Sequence, residues 1–343
     1  MPTPAQSRST LVAAALLLGA GCPRPLPPTM VPTYTTAVRT EDGWVNHLRR
    51  YAGEGEPVLL VHGMGANHYN FDYRHEISLA HALQQQGWDV WITDLRGDWL
   101  TVPPSPKVRW EITFDDYARY DVAASVEAVL SATGAEQLHW VGHSMGGMLL
   151  YAWLAQHPET IASGVTICSP STFQDYEEPW TVRTFRFATR GRGRIPARSL
   201  SVLSRPLGRA NPMYGRIANR DNLDWGLTKG LARHALSDLP KPVARQALTW
   251  LESDALIDTE GRDWVQPADV PLLVLGALGD RVVAEADVRA TCDRFPDCTY
   301  QLLSRDQGLD NDPGHIDPVV GTIVDEVYPM VLSFLEAQRG DSF

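Results

Sequence analysis

The chain alternates short, wholly apolar runs with longer segments whose apolar positions recur every three or four residues. Pro57–His62, Leu138–Gly142, Ile161–Cys168 and Val270–Gly276 are continuous apolar runs, the pattern of strands buried on both faces of a parallel sheet. Asp89–Thr93 and Thr299–Leu303 extend the series. Between these runs lie helical segments. Ser78–Gly87 ends at a glycine. Thr113–Thr133 predicts one long helix, with Ala118, Val122, Val126, Val129 and Leu130 as its apolar stripe and Gly134 as its stop. Met145–Gln156 has few polar positions and should lie deep in the fold. Ala284–Arg294 and a C-terminal helix complete the set; Pro329 should kink that last helix or begin a new one. At the front, Thr35–Thr40 and Trp44–Tyr51 predict a hairpin turned by Asp42-Gly43.

This alternation predicts an α/β fold with a doubly wound, mostly parallel sheet. The rhythm stops from about Pro170 to Gln266, where helical pieces are broken by prolines and glycines and strand signals are missing. The simplest organisation is one α/β core, residues 34–169 and 266–343, carrying a helical cap insertion, residues 170–265.

A length of 343 residues, with 44% hydrophobic positions and 11 tryptophans, supplies ample core and excludes global disorder. The net charge is −11, which argues against a nucleic-acid partner, since that needs a basic footprint. The first residues stand apart from the fold. Arg8, the apolar run Leu11–Ala20 and the small residues before Cys22 read as an export signal over residues 1–22. Leu18-Gly19-Ala20-Gly21-Cys22 also resembles a lipoprotein cleavage site with Cys22 as the lipidated residue; an ordinary cleaved signal peptide is the alternative. Residues 23–33 are proline-rich and read as a stiff tether. Together these features lead us to expect a protein exported to the bacterial periplasm or outer membrane as a lipid-anchored protein, or otherwise secreted. In an oxidising compartment Cys292 and Cys298, six positions apart, can pair; otherwise they are two thiols. Cys168, in an apolar run, reads as a small core residue.

The chemistry concentrates at three places. Gly142-His143-Ser144-Met145-Gly146 sits between a strand and a helix, the setting in which a tight turn exposes a serine hydroxyl above a sheet. A serine needs a base within reach, and in this arrangement the partners follow in the order acid, then histidine. Asp280 lies in the loop after the most apolar strand, and His315 lies in a glycine-containing loop after the last strand. His315 would act as general base to Ser144, and Asp280 would orient the imidazole. The strand ending in His62-Gly63-Met64-Gly65 supplies an oxyanion loop. The backbone N–H groups of Met64 and Met145 are the expected donors, with Gly63 or Gly65 as fallback for the first. His143 and His62 read as structural. Asp254, Asp258 and Asp263 lack a strand-end setting. Asp310, Asp312 and Asp317 crowd His315 without the regular spacing of a calcium loop. No metal or organic cofactor is implied.

These residues together resemble the α/β-hydrolase superfamily. Ser78-Leu79-Ala80 through Gly87-Trp88-Asp89-Val90-Trp91 to Asp94-Leu95-Arg96-Gly97 is similar to acid lipases and polyhydroxyalkanoate synthase-related hydrolases. So is Thr113-Phe114-Asp115-Asp116-Tyr117 through Tyr120-Asp121-Val122 to the serine turn. The resemblance implies an esterase or lipase acting on small-molecule or lipid esters through an acyl-enzyme. It also implies that the insertion covers the site. The synthases use cysteine where this chain has Ser144; epoxide hydrolases and dehalogenases use aspartate. A thioesterase or acyltransferase on the same residues, or a non-catalytic lipid-binding lipoprotein, are the other readings. Trp180, Phe185, Phe187, Met213, Tyr214, Trp225 and Trp250 would line an apolar pocket or form the insertion's own core. Ten arginines at 183, 186, 190, 192, 194, 198, 205, 209, 216 and 220 stand in an otherwise acidic chain. They form either a salt-bridged surface or a membrane-facing patch for anionic headgroups.

Overall fold

A computed structural model describes residues 31–175, 180–203 and 214–340. The export signal, Cys22 and most of the tether lie outside the described residues. Strands β1 (Tyr34–Arg39), β2 (Val45–Tyr51), β3 (Pro57–Val61), β4 (Asp89–Asp94), β5 (Leu138–His143) and β6 (Ile161–Ile167) form most of the main sheet, with β9 (Leu272–Ala277) and β10 (Cys298–Leu303). The order is β1-β2-β4-β3-β5-β6-β9-β10. β1 pairs antiparallel with β2 and β2 with β4; every other pair is parallel. All residues of β3, β4, β5 and β9 are buried, as continuous apolar runs require.

Helices cover both faces: α1 (Leu79–Gln85), α2 (Val122–Thr133), α3 (Met145–Leu154), α9 (Glu285–Arg289), α10 (Asp317–Val320) and α11 (Val324–Ala337). The deep helix is α3, buried at every position. One departure from the expected pattern has a local cause. The segment expected to run as one helix from Thr113 begins in a capping box between Thr113 and Asp116 and widens to a π turn over Tyr117–Asp121 before α2. That turn carries Asp121, whose buried carboxylate accepts from the backbone N–H and Nε of Arg96 at 2.8 Å each. Helix α11 runs through Pro329 without ending. Val324, Val327, Tyr328, Val331 and Leu335 are all buried along it, and this packed stripe outweighs one missing N–H.

The insertion between β6 and β9 contributes α4 (Trp180–Ala188), α5 (Ala197–Leu203), α6 (Tyr214–Ile217), α7 (Trp225–His234) and α8 (Lys241–Ser253). It also holds a two-residue strand pair, β7 (Arg194–Ile195) with β8 (Leu239–Pro240), too short to leave a periodic signal. Helix α8 packs into the main core: Trp250 meets Phe114 edge-on at 5.1 Å, and Gln246 bonds Asp115 and the backbone of Phe114. Cys292 and Cys298 form a disulfide at the start of β10. Among the described residues no helix is long and apolar enough to cross a membrane.

Candidate active site

Sheet order decides which loops meet. β3 is followed by β4 on one side and β5 on the other, so their carboxyl ends open a crevice where the order reverses. Val61 and Gly142 are register partners, which sets the loop after β3 beside the turn after β5. In that turn Ser144 has φ 52° and ψ −119°, a left-handed conformation unusual for a side chain-bearing residue. Two close approaches explain the glycines. A Cβ on Gly142 would come within 2.4 Å of Gly146, and one on Gly146 within 1.9 Å of the Val61 carbonyl oxygen. The turn is also pinned by the Ser144 N–H, which donates to the Ile167 carbonyl at 2.8 Å.

The three expected side chains meet. His315 Nε2 lies 2.9 Å from Ser144 Oγ, and His315 Nδ1 lies 2.7 Å from Asp280 Oδ2. Asp280 Oδ1 accepts from the N–H groups of Val282 and Val283 at 2.7 and 3.1 Å, so neither carboxylate oxygen is idle. The loops carrying the two residues are tied by the Gly279 N–H donating to the Pro313 carbonyl at 2.9 Å. With Nδ1 donating to the carboxylate, Nε2 is left to accept the serine proton. Met64 and Met145 both line the cavity in front of Ser144, and among the described residues no hydrogen bond takes either amide N–H.

His143 does more than pack. Its Nε2 donates to the His315 carbonyl at 2.9 Å, and its Nδ1 is 3.0 Å from Asn70 Oδ1, which also accepts from the Gly63 N–H. Burial pushes its pKa down to about 3, helped by the nearby His315. His62 is buried, with Nε2 accepting from the Leu95 N–H. Asp317 accepts from the Gly314 N–H and from Asn222 and Asn219 of the insertion, which anchors the His315 loop. Asp312 accepts from the Arg305 N–H, and Asp258 from Arg262, as loop-bonding residues do. Asn70, Asn219 and Asn222 were missed from sequence, because nothing local marks a partner scores of residues away.

Cys168, Asp280 and His315 hold ligand atoms within 4.8 Å of one another. Burial and then Asp280 raise the thiol's pKa, which keeps it protonated and a poor metal ligand. Its place beside the acid, at φ 53°, is more specific than the core role expected of it.

A cavity of about 390 Å³ opens in front of Ser144. Met148, Phe173, Phe185, Leu231, Leu248 and Trp250 are among its apolar walls, so residues of the insertion close it on one side. Of the aromatics expected there, Phe185 and Trp250 take part; Tyr214 is buried elsewhere and Phe187 is 70% exposed. Met213 and the side chains of Trp180 and Trp225 lie outside the described residues. Several of the arginines are ion-paired: Arg186 to Glu252, Arg192 to Glu111 and Arg194 to Asp238, while Arg205 and Arg209 are not among the described residues.

Residues 56–321 match the family model described as the alpha/beta hydrolase fold. The gastric triacylglycerol lipase of Homo sapiens is 32% identical over 136 residues, 35% of this chain and 34% of the lipase. The lysosomal acid lipase/cholesteryl ester hydrolase of Homo sapiens is 33% identical over 143 residues, 37% of this chain and 36% of the relative. The chain thus spans about a third of the length of these curated relatives. Among solved structures, a thermophilic esterase from Thermogutta terrifontis superposes with a TM-score of 0.59 at 18% identity, covering 90% of this chain and 100% of the esterase. An esterase from Exiguobacterium antarcticum gives 0.60 at 15% identity, covering 88% and 99%. A matching family model over most of the chain, together with the sheet order and the strained serine turn, establishes that this protein belongs to the α/β-hydrolase fold family.

Proposed function

We propose that the protein hydrolyses carboxylic esters with an apolar acyl group, through an acyl-enzyme on Ser144. The observation that carries this reading is the unbroken series from Ser144 Oγ through both nitrogens of His315 to Asp280, at 2.9 and 2.7 Å. In the proposed reaction His315 Nε2 takes the hydroxyl proton as Oγ attacks the ester carbonyl. The negative carbonyl oxygen is received by the N–H groups of Met64 and Met145, and the alcohol leaves with the proton from His315. Water then repeats the sequence and frees the acid. Asp280 stays ionised and holds the imidazolium. The lipase and esterase likenesses support an ester substrate, and the apolar cavity supports an acyl chain as its occupant. The insertion, in this reading, is a cap that keeps water from the acyl pocket.

The N-terminal run and Cys22 support export and lipid anchoring to the periplasmic or outer membrane side, and the Cys292–Cys298 disulfide suits an oxidising compartment. Nitrophenyl esters of increasing chain length test the activity. Turnover should rise from acetyl to medium-chain esters and fall by about 10⁴–10⁶-fold in Ser144→Ala. Wild-type protein that leaves every ester intact, or Ser144→Ala protein with unreduced turnover, contradicts the proposal.

A further inference from the structure

A second cleft, of about 550 Å³, lies on the seam between core and insertion. Trp99, Arg109 and Trp110 come to it from the core segment after β4, and Arg194, Arg198 and Asp238 from the insertion. Its wall is shared with the acyl cavity: Ser237 and Asp238 face the cleft, while their neighbours Leu236 and Leu239 face the cavity in front of Ser144. Among the described residues the lining carries three guanidinium groups and one carboxylate, a net charge of +2 on a protein whose total is −11. The aromatic rings hold the guanidinium faces. Arg194 Cζ stands 4.8 Å and Arg109 Cζ 5.5 Å from the Trp110 ring centre, and Arg198 Cζ stands 5.4 Å from that of Trp99. Stacking uses the π face and leaves the in-plane N–H fork as donor. The described protein contacts engage Nε of Arg194 with Asp238, Nε of Arg198 with the Arg233 carbonyl, and one terminal nitrogen of Arg109 with the Asp98 carbonyl at 3.5 Å.

We infer that this cleft binds a phosphate group, received by the forks of Arg109, Arg194 and Arg198. Guanidinium N–H groups from three arginines beside one anion match phosphate, which accepts several charge-assisted hydrogen bonds at once. Trp99, 44% exposed at the rim, is placed to contact the apolar surroundings of a lipid headgroup. The inference stands on the cleft alone and does not require Ser144 to be a nucleophile.

Two measurements on the full-length protein separate the possible sources. Binding to phosphatidylcholine vesicles with and without phosphatidylglycerol reads a headgroup; quenching of tryptophan fluorescence by inorganic phosphate reads a soluble ligand. The double variant Arg109→Gln/Arg198→Gln should weaken the response by about twenty-five-fold, about five-fold for each arginine. Preference for anionic vesicles without phosphate quenching assigns the site to a headgroup; saturable quenching without that preference assigns it to free phosphate. The single variants carry the same test should the double variant fail to fold. Wild-type protein with neither response, or variants of unchanged melting temperature with an undiminished one, overturns the site.

Discussion

Burial holds His143 neutral, with its single ring N–H, on Nε2, donating to the main-chain carbonyl of His315 while its bare Nδ1 packs against Asn70 of the loop after β3. The residue beside the serine thus ties together two loops that must keep their spacing. The consequence for pH follows from its lowered pKa of about 3. Below a pH of about 6.5 the unfolded chain binds a proton at this position that the folded chain refuses, so the unfolded state gains. Stability from this group is therefore undiminished above a pH of about 6.5 and declines as pH falls toward about 3. His143→Leu should lower the melting temperature at neutral pH, because the His315 carbonyl loses its donor, yet show a shallower decline on acidification. Melting curves of both proteins across that range check this; equal slopes would show that His143 contributes nothing to the acid sensitivity.

At the scale of elements, the strand–turn–helix of β5 and α3 works only because two backbones touch. Gly146→Ala drives a Cβ to 1.9 Å from the Val61 carbonyl, so either β3 or the start of α3 must move. Overpacking of this kind costs about 1–3 kcal/mol or more, and here it also shifts Met145 against the loop after β3. We expect a lowered denaturation midpoint together with a loss of ester turnover larger than the stability change alone accounts for; a fully stable, fully active alanine variant would contradict the close approach. This glycine was legible in the sequence because the motif that holds it, Gly142 to Gly146, spans five consecutive residues, although the backbone it approaches is that of Val61. The same holds for the buried strands and for Asp280 and His315, each placed after an apolar run. The acidic residues near Arg96 were not legible as partners. Its guanidinium bonds Asp121 across 25 residues and Asp42 across 54, and no periodicity records such a pairing. The π turn that carries Asp121 was hidden for the same reason, since apolar spacing is blind to one extra residue per turn.

For the whole molecule, the crossing of sheet order and chain order brings three distant loops to one crevice, and the insertion closes over it. The insertion is not independent of the core. Its helix α8 shares Trp250 and Gln246 with the main packing, and Asn219 and Asn222 hold Asp317 behind His315. The cavity in front of Ser144 and the arginine cleft lie on opposite sides of the Ala235–Pro240 stretch, so an apolar lining and a cationic one share one structural wall. The composition of the insertion showed its aromatics and arginines but not this division, because only the folded chain sorts Leu236 and Leu239 from Ser237 and Asp238. At the centre of this arrangement His315 Nε2 stands 2.9 Å from Ser144 Oγ, and the proposed function requires it to make that hydroxyl nucleophilic. Reaction with a fluorophosphonate, followed by mass mapping of the modified peptide, measures that nucleophilicity directly. A covalent phosphonyl group on Ser144 is expected, absent in Ser144→Ala and formed far more slowly in His315→Ala. Unmodified wild-type protein, or an adduct on a different residue, would contradict it.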